Sequence, residues 1–331
     1  MGIFEGLLGN EVTLRRLERA LETDGASHAY LFHGPTGVGK RTVARRFGAA
    51  LVAGGDAGAE DRARRCLHPD LREVEPEGAF TTIGQVREVV NLAASRPFEG
   101  ARCVFIMEAD TLNVQAANAL LKTLEEPEGE AVFVLLAASR EGVLPTIVSR
   151  AQPVRFDPVP ADEVARFLEE RGAEEPELAA ALGRGSVGLS LRYAEQPELK
   201  ELREAVFEAA FSYDGDFEDR HLGTMEIMVC AEALGAARES EVLGRFEEPE
   251  TRRAKDAAKR AGRAARDCAV LEALELLALV YRDAAVVGAG VEELAANVDR
   301  VPEIQRRVGR NPDADWAGAA LRVGEARASL A

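Results

Sequence analysis

Ala29-Tyr30-Leu31-Phe32-His33-Gly34-Pro35-Thr36-Gly37-Val38-Gly39-Lys40-Arg41-Thr42 decides how the chain folds. A short apolar run enters a glycine-rich loop that ends on a lysine, and Thr42-Val43-Ala44-Arg45-Arg46-Phe47 continues in a helical pattern. Strand, loop and helix in that order make a phosphate-binding P-loop, written G-x-x-x-x-G-K-[ST]. Glycines at 34, 37 and 39 let backbone N–H groups cradle phosphate, and Lys40 reaches the terminal phosphates. Then the motif breaks. Arg41 stands where a Ser/Thr hydroxyl would hold Mg²⁺, and Thr42 lies about 100° further round the helix. Gly34, Thr36, Gly37, Gly39, Lys40 and Thr42 therefore outline a nucleotide-type pocket that lacks a competent metal site.

Outward from this loop, β-rich runs alternate with helical patterns, as a parallel α/β sheet requires. Leu71 to Val74, Cys103 to Met107 and Val132 to Leu136 read as further strands. Leu7 to Leu21, Thr42 to Val52, Ile83 to Ala94 and Val114 to Leu124 read as helices, and the Gly-rich stretch Ala53 to Arg65 as a loop. Beyond Pro158 strand signals fade. Asp162 to Arg171 and Pro176 to Leu182 have the pattern of short helices, and Thr251 to Val287 that of one long helix. Three domains are expected: 1–157 α/β, 158–197 small and helical, and 198–331 all-helical.

Composition excludes several classes. The 331 residues carry a net charge of −16, which disfavours nucleic-acid binding over the whole surface. No apolar run is long enough to span a bilayer and no signal-like leader opens the chain, so a soluble cytoplasmic protein is expected. The four cysteines, Cys66, Cys103, Cys230 and Cys268, have no CxxC spacing and fit a reducing compartment. Cys103 and Cys230 read as core residues, and His33 as a packed polar residue rather than a base.

Four segments resemble a known family, the bacterial DNA polymerase III clamp-loader subunits of the AAA+ class. They are Ser27 to Phe32, the run Ala116-Ala117-Asn118-Ala119-Leu120-Leu121-Lys122-Thr123-Leu124-Glu125-Glu126-Pro127, Leu144-Pro145-Thr146-Ile147-Val148-Ser149-Arg150, and Tyr281-Arg282-Asp283. The pattern is nearer the delta-prime subunit than the motor (gamma/tau) subunit. The resemblance implies an AAA+ P-loop domain with a parallel sheet, a small helical lid and an all-helical C-terminal collar. It implies gamma/tau and delta subunits, the sliding clamp and primed DNA as partners.

Against that family, three positions depart together. Arg41 replaces the metal-side hydroxyl, Met107 falls at the Walker B Asp if Ala109-Asp110 is the anchor, and Gly188-Leu189 lacks the lid arginine, leaving Arg192 as a distant alternative. Thioether does not ligate Mg²⁺. Glu108 remains as the water-orienting acid or, in a shifted alignment, as a metal-side carboxylate. Bound ATP or ADP without turnover is the expectation. Arg150 is kept, and the resemblance implies that it reaches into a neighbouring subunit's ATP site from the end of a strand at the domain edge, with Ala151 in place of the family's Cys. The family's zinc module is reduced to Cys66 and His68-Pro69-Asp70, too few ligands for a tetrahedral site, so no zinc is expected and His68-Pro69-Asp70 reads as a turn. Lys255, Lys259, Arg260, Arg263 and Arg266 form a basic stripe, either a solvated face or a surface for DNA or a neighbouring subunit. An active motor ATPase and another AAA+ ring ATPase are the alternatives.

Overall fold

Successive side chains of a strand point to opposite faces, and here both faces of the central strands are buried. In the computed structural model β1 (Ala29–His33), β3 (Cys103–Glu108) and β4 (Ala131–Ala137) send Tyr30, Phe32, Val104, Ile106, Val132 and Val134 to one core. That core is closed by Leu14 and Leu17 of α1 (Glu11–Glu22) and by Val43, Ala44 and Phe47 of α2 (Lys40–Ala53). The alternate residues Leu31, Phe105, Met107, Phe133 and Leu135 face the other core. Val86 and Val89 of α4 (Ile83–Ala93) and Leu120 and Leu124 of α5 (Val114–Glu125) close it. Helix α3 (Ala57–Arg64) follows α2. With β2 (Leu71–Val74) and β5 (Gln152–Arg155) the sheet has five parallel strands in the order β2-β3-β4-β1-β5. The structure describes residues 2–23, 25–64, 68–76, 80–127, 129–211, 217–246 and 249–330.

The chain divides into two units, Met1–Phe167 with Gly185–Gly188, and Leu168–Arg184 with Leu189–Ala331. After the short α6 (Pro145–Val148), the helices α7 (Ala161–Glu169), α8 (Pro176–Gly183) and α9 (Val187–Glu195) follow in sequence. Then come α10 (Pro197–Phe211), α11 (Phe217–Leu243), α12 (Arg252–Gly288), α13 (Val301–Arg310) and α14 (Trp316–Leu330). Among the described residues no helix is long and apolar enough to cross a membrane.

In the second unit Phe207, Phe211, Val280, Ala284 and Ile304 form a core, with Tyr281 and Trp316 packed against it. Helices α11 and α12 cross at Gly235 and Gly262, where a Cβ on either glycine would stand 2.9 Å from the other's carbonyl oxygen. Only bare backbone fits that crossing. Tyr281-Arg282-Asp283 proves to be a clasp. The Tyr281 hydroxyl donates to Ala210 O (3.3 Å) and Arg282 to Leu294 O (3.1 Å). Asp283, fully buried, accepts from the Asn297 amide N–H (2.8 Å) and Nδ2 (2.7 Å). Asn297 Oδ1 in turn accepts from Arg203 (3.0 Å), which pairs with Asp299 at 2.6 Å. Buried charges persist only when partnered in this way.

Three local expectations are corrected. Ala53 to Arg65 is not all loop, because Ala57–Arg64 forms α3. The first helix begins at Glu11 rather than Leu7, since Gly9 and Asn10 adopt φ of 75° and 56°, outside the helical region. Cys230 is partly exposed on α11 rather than in a core, whereas Cys103 is buried.

Candidate nucleotide-binding site

The P-loop connects β1 to α2 at the carboxyl end of the sheet, where parallel α/β folds bind ligands. Its conformation needs glycine. Gly34 sits at φ 148°, and a Cβ there would stand 2.1 Å from Phe156 O; Gly37 and Gly39 have φ of 80° and 99°. Val38 is buried in the core and anchors the loop, leaving Thr36 and Gly37 exposed. The Gly188 N–H donates to Gly37 O (3.2 Å), so Gly188 ties down the loop by backbone alone. Arg192, the alternative, is engaged with Gln196 (3.3 Å) and Glu272 (3.8 Å).

Lys40 is nine-tenths buried, and its Nζ donates to Gly34 O (2.5 Å) and Pro35 O (2.8 Å). Burial lowers its pKa, and Glu108 and Asp110 pull it part of the way back. A desolvated ammonium held over backbone carbonyls favours an incoming anion. Asp110 itself is committed to structure, accepting the Ala138 N–H at 2.6 Å. Thr42 is exposed on α2.

Strand alternation settles which residue of β3 faces the loop. Met107 is 1% exposed and packs in the core shared with α4 and α5, so it does not occupy the metal side. Glu108, one residue on, takes the opposite face, and its Oε1 accepts from Arg41 Nη2 at 2.6 Å. Of the two residues, Glu108 is the one whose carboxylate meets the P-loop helix. Arg41 Nη1 lies 3.5 Å from Glu73 Oε2, and Arg45 makes a two-pronged contact with the same carboxylate, Nη2 at 2.9 Å. A carboxylate is present on the metal side, but a guanidinium holds it. With no hydroxyl at position 41 and Glu108 paired, the residues do not fit a magnesium site. Pairing linked 67 residues apart leaves no local trace, although period-two counting from the buried Ile106 finds the face of Glu108.

Beside Gly34 and Pro35 a cleft of about 680 Å³ is bordered by Arg16, His33, Arg140 and Arg155. His33 lines it rather than packing fully, with a pKa lowered by burial and then by Arg140.

Arg150 occupies a different corner. It lies in the turn between α6 and β5 and does not end a strand. Its Nε donates to Glu125 Oε1 (2.6 Å), with Nη2 on the same oxygen, and Nη1 donates to Thr146 O (2.8 Å) and Ser149 Oγ (3.1 Å). Ala151 is buried beneath it. His28 Nε2 lies 2.7 Å from Leu124 O, so an Nε2–H tautomer caps the end of α5. The three segments that carried the family resemblance in this unit thus interlock around the end of that helix.

His68-Pro69-Asp70 makes the expected turn into β2, with His68 buried and its Nδ1 accepting the Asp70 N–H at 3.2 Å. Cys66 lies outside the described residues. On α12, Lys255 pairs with Glu250 (2.6 Å) and Arg266 with Glu232 (3.3 Å), while Lys259, Arg260 and Arg263 are exposed.

Sheet order, P-loop and flanking helices define an AAA+ class P-loop domain joined to a helical C-terminal region. Residues 9–160 match the family described as "DNA polymerase III, delta subunit". The chain resembles, in particular, the delta-prime clamp-loader subunit. It is 39% identical over 175 residues to DNA polymerase III subunit delta' of Pseudomonas aeruginosa, covering 48% of this chain and 53% of that protein. Identity to the delta' subunit of Bacillus subtilis is 30% over 204 residues, covering 58% and 61%. Identity to subunit tau of Bacillus subtilis is 32% over 164 residues, covering 46% and 28%. The chain thus spans 53% to 61% of the length of these delta' relatives.

Proposed function

We propose that this chain is a delta-prime-like subunit of a DNA polymerase III clamp loader, acting in the cytoplasm during DNA replication. It binds ATP or ADP in its P-loop without turnover and offers Arg150 to the ATP site of a neighbouring gamma/tau-type motor subunit. The assembly, with a delta subunit, places the sliding clamp on primed DNA. The observation that carries the reading is the Arg41–Glu108 ion pair, 2.6 Å across an otherwise retained P-loop. Phosphoryl transfer depends on positioned metal and acid, and this pair removes both from use. The match of residues 9–160 to the family described as the delta subunit, and an identity of 39% to a delta' subunit against 32% to a tau subunit, support the assignment over a motor subunit.

Arg150 is held at the domain surface with its side chain 29% exposed, within reach of a partner. In the second unit Leu222, Met225 and Val229 expose an apolar stripe on α11 (60%, 51% and 65%), which supports subunit contact there.

The test is reconstitution with motor subunits. Arg150→Ala should leave the chain folded and assembled, yet slow hydrolysis at the one adjoining site at least ~10-fold, or about 1.4 kcal/mol. Arg150→Lys should not restore it, because the planar two-pronged fork is lost. The isolated chain should show no turnover above background. Unchanged clamp loading and hydrolysis with Arg150→Ala would make this arginine an ordinary surface residue.

A further inference from the structure

We infer that the P-loop of this chain takes the polyphosphate of a nucleoside di- or triphosphate as the free anion, with the Arg41 guanidinium serving in place of Mg²⁺. The inference rests on the nucleotide-binding reading above and adds to it the ionic form of the ligand. Arg41 follows Lys40 directly in the first turn of α2, the position from which a hydroxyl would otherwise reach a metal. Its guanidinium is fixed by Glu108 at 2.6 Å and approached by Glu73 at 3.5 Å. The side chain remains 42% exposed.

Charge counting around the loop points the same way. Arg41 and Arg45 pair with Glu73 and Glu108, while Lys40, bonded to the carbonyls of Gly34 and Pro35, faces Glu108 and Asp110, so three cations already balance three carboxylates and no net negative charge is left to draw a metal ion. A divalent cation would have to displace Arg41 from Glu108 and then sit beside an unneutralised guanidinium. It would also find no hydroxyl oxygen at position 41, and a guanidinium has no lone pair to offer. A phosphate group meets the reverse situation. The buried Lys40 ammonium, the loop amides and a two-pronged guanidinium are all donors, and charge-assisted bonds from arginine to phosphate are strong. Magnesium-bound nucleotide should thus be the poorer ligand.

The experiment is calorimetric titration of the full chain with ADP and ATP, once with excess Mg²⁺ and once in EDTA. Affinity in EDTA should equal or exceed that in Mg²⁺. Arg41→Thr, which supplies the hydroxyl and frees Glu108, should reverse that order, and Arg41→Lys should keep it with weaker binding. Thermal melts of each variant establish that it is folded before it is titrated. Wild-type binding tenfold or more tighter with Mg²⁺ would overturn the inference while leaving the nucleotide site intact. Absence of binding in both buffers would remove the nucleotide site itself, and the inference with it.

Discussion

The two ends of the one parallel sheet handle their carboxylates in opposite ways. At the amino end, just before β2, Asp70 accepts the N–H groups of Phe98, Glu99 and Gly100, each at 2.8 Å, beside the buried His68 and Cys103. At the carboxyl end, Glu73 and Glu108 are matched instead by the side chains of Arg41 and Arg45. Backbone donors cannot leave without unravelling the fold, whereas guanidinium donors can swing to another acceptor. One end is therefore welded and the other exchangeable, and the exchangeable end is where the P-loop lies.

The widest gap between the two ends should appear in stability. Asp70→Ala removes the buried carboxylate that three partly buried N–H groups share and should cost about 3 kcal/mol, read as a melting temperature lower by roughly 6–12 °C. Nucleotide affinity should be unchanged in the folded fraction. A loss under about 1 kcal/mol would break the comparison.

A smaller effect distinguishes the ends in acid. Burial pushes the Asp70 carboxyl up, but the three N–H donors and His68 outweigh it and hold its pKa below the ordinary value. A depressed carboxylate contributes stability in full above about pH 3.9 and loses it as pH falls through the folded value. Acid melts of wild type should therefore show a downturn below pH 4 that is weaker in Asp70→Ala. Parallel acid curves for the two proteins would mean that Asp70 contributes nothing through its charge.

At the carboxyl end the change in stability should be slight. Glu108→Gln leaves Arg41 near Glu73 and should shift stability by about 1 kcal/mol or less. Anion affinity in EDTA should rise, because a negative charge beside the loop is gone while Arg41 stays. A large destabilisation with no change in affinity would mark Glu108 as a structural strut like Asp70.

Much of the first unit is legible in sequence because its signals are local. Apolar runs at Leu31, Val104 and Val134 are central strands, and glycines 34, 37 and 39 are demanded by backbone geometry. Edges and pairings are harder to read. β5 escaped notice because an edge strand reading Gln152-Pro153-Val154-Arg155 buries little and contains a proline, which edge strands tolerate. Helix α3 hid in a run of Ala, Gly and charged residues with no apolar stripe. The loss of hydrolytic machinery was visible at Arg41, but its partner was not. Alternation along β3 turns Met107 into the core and Glu108 toward Arg41. Arg150 stood out by its motif, whereas the grip of Glu125 on it, from 25 residues earlier, emerges only in three dimensions.

The Gly235–Gly262 crossing makes α11 and α12 into crossed beams that meet at a bare fulcrum. At 1.5 Å per residue α11 is about 40 Å long, and Leu222 lies roughly 20 Å from the pivot at Gly235. One methyl wedged into that contact would tilt the beams, and the displacement would grow with distance along the arm. Within the stripe Leu222 would travel furthest, and Val229, about 9 Å from the pivot, least. The pose of that surface is thus governed by leverage from a point where two glycines bring backbone against backbone.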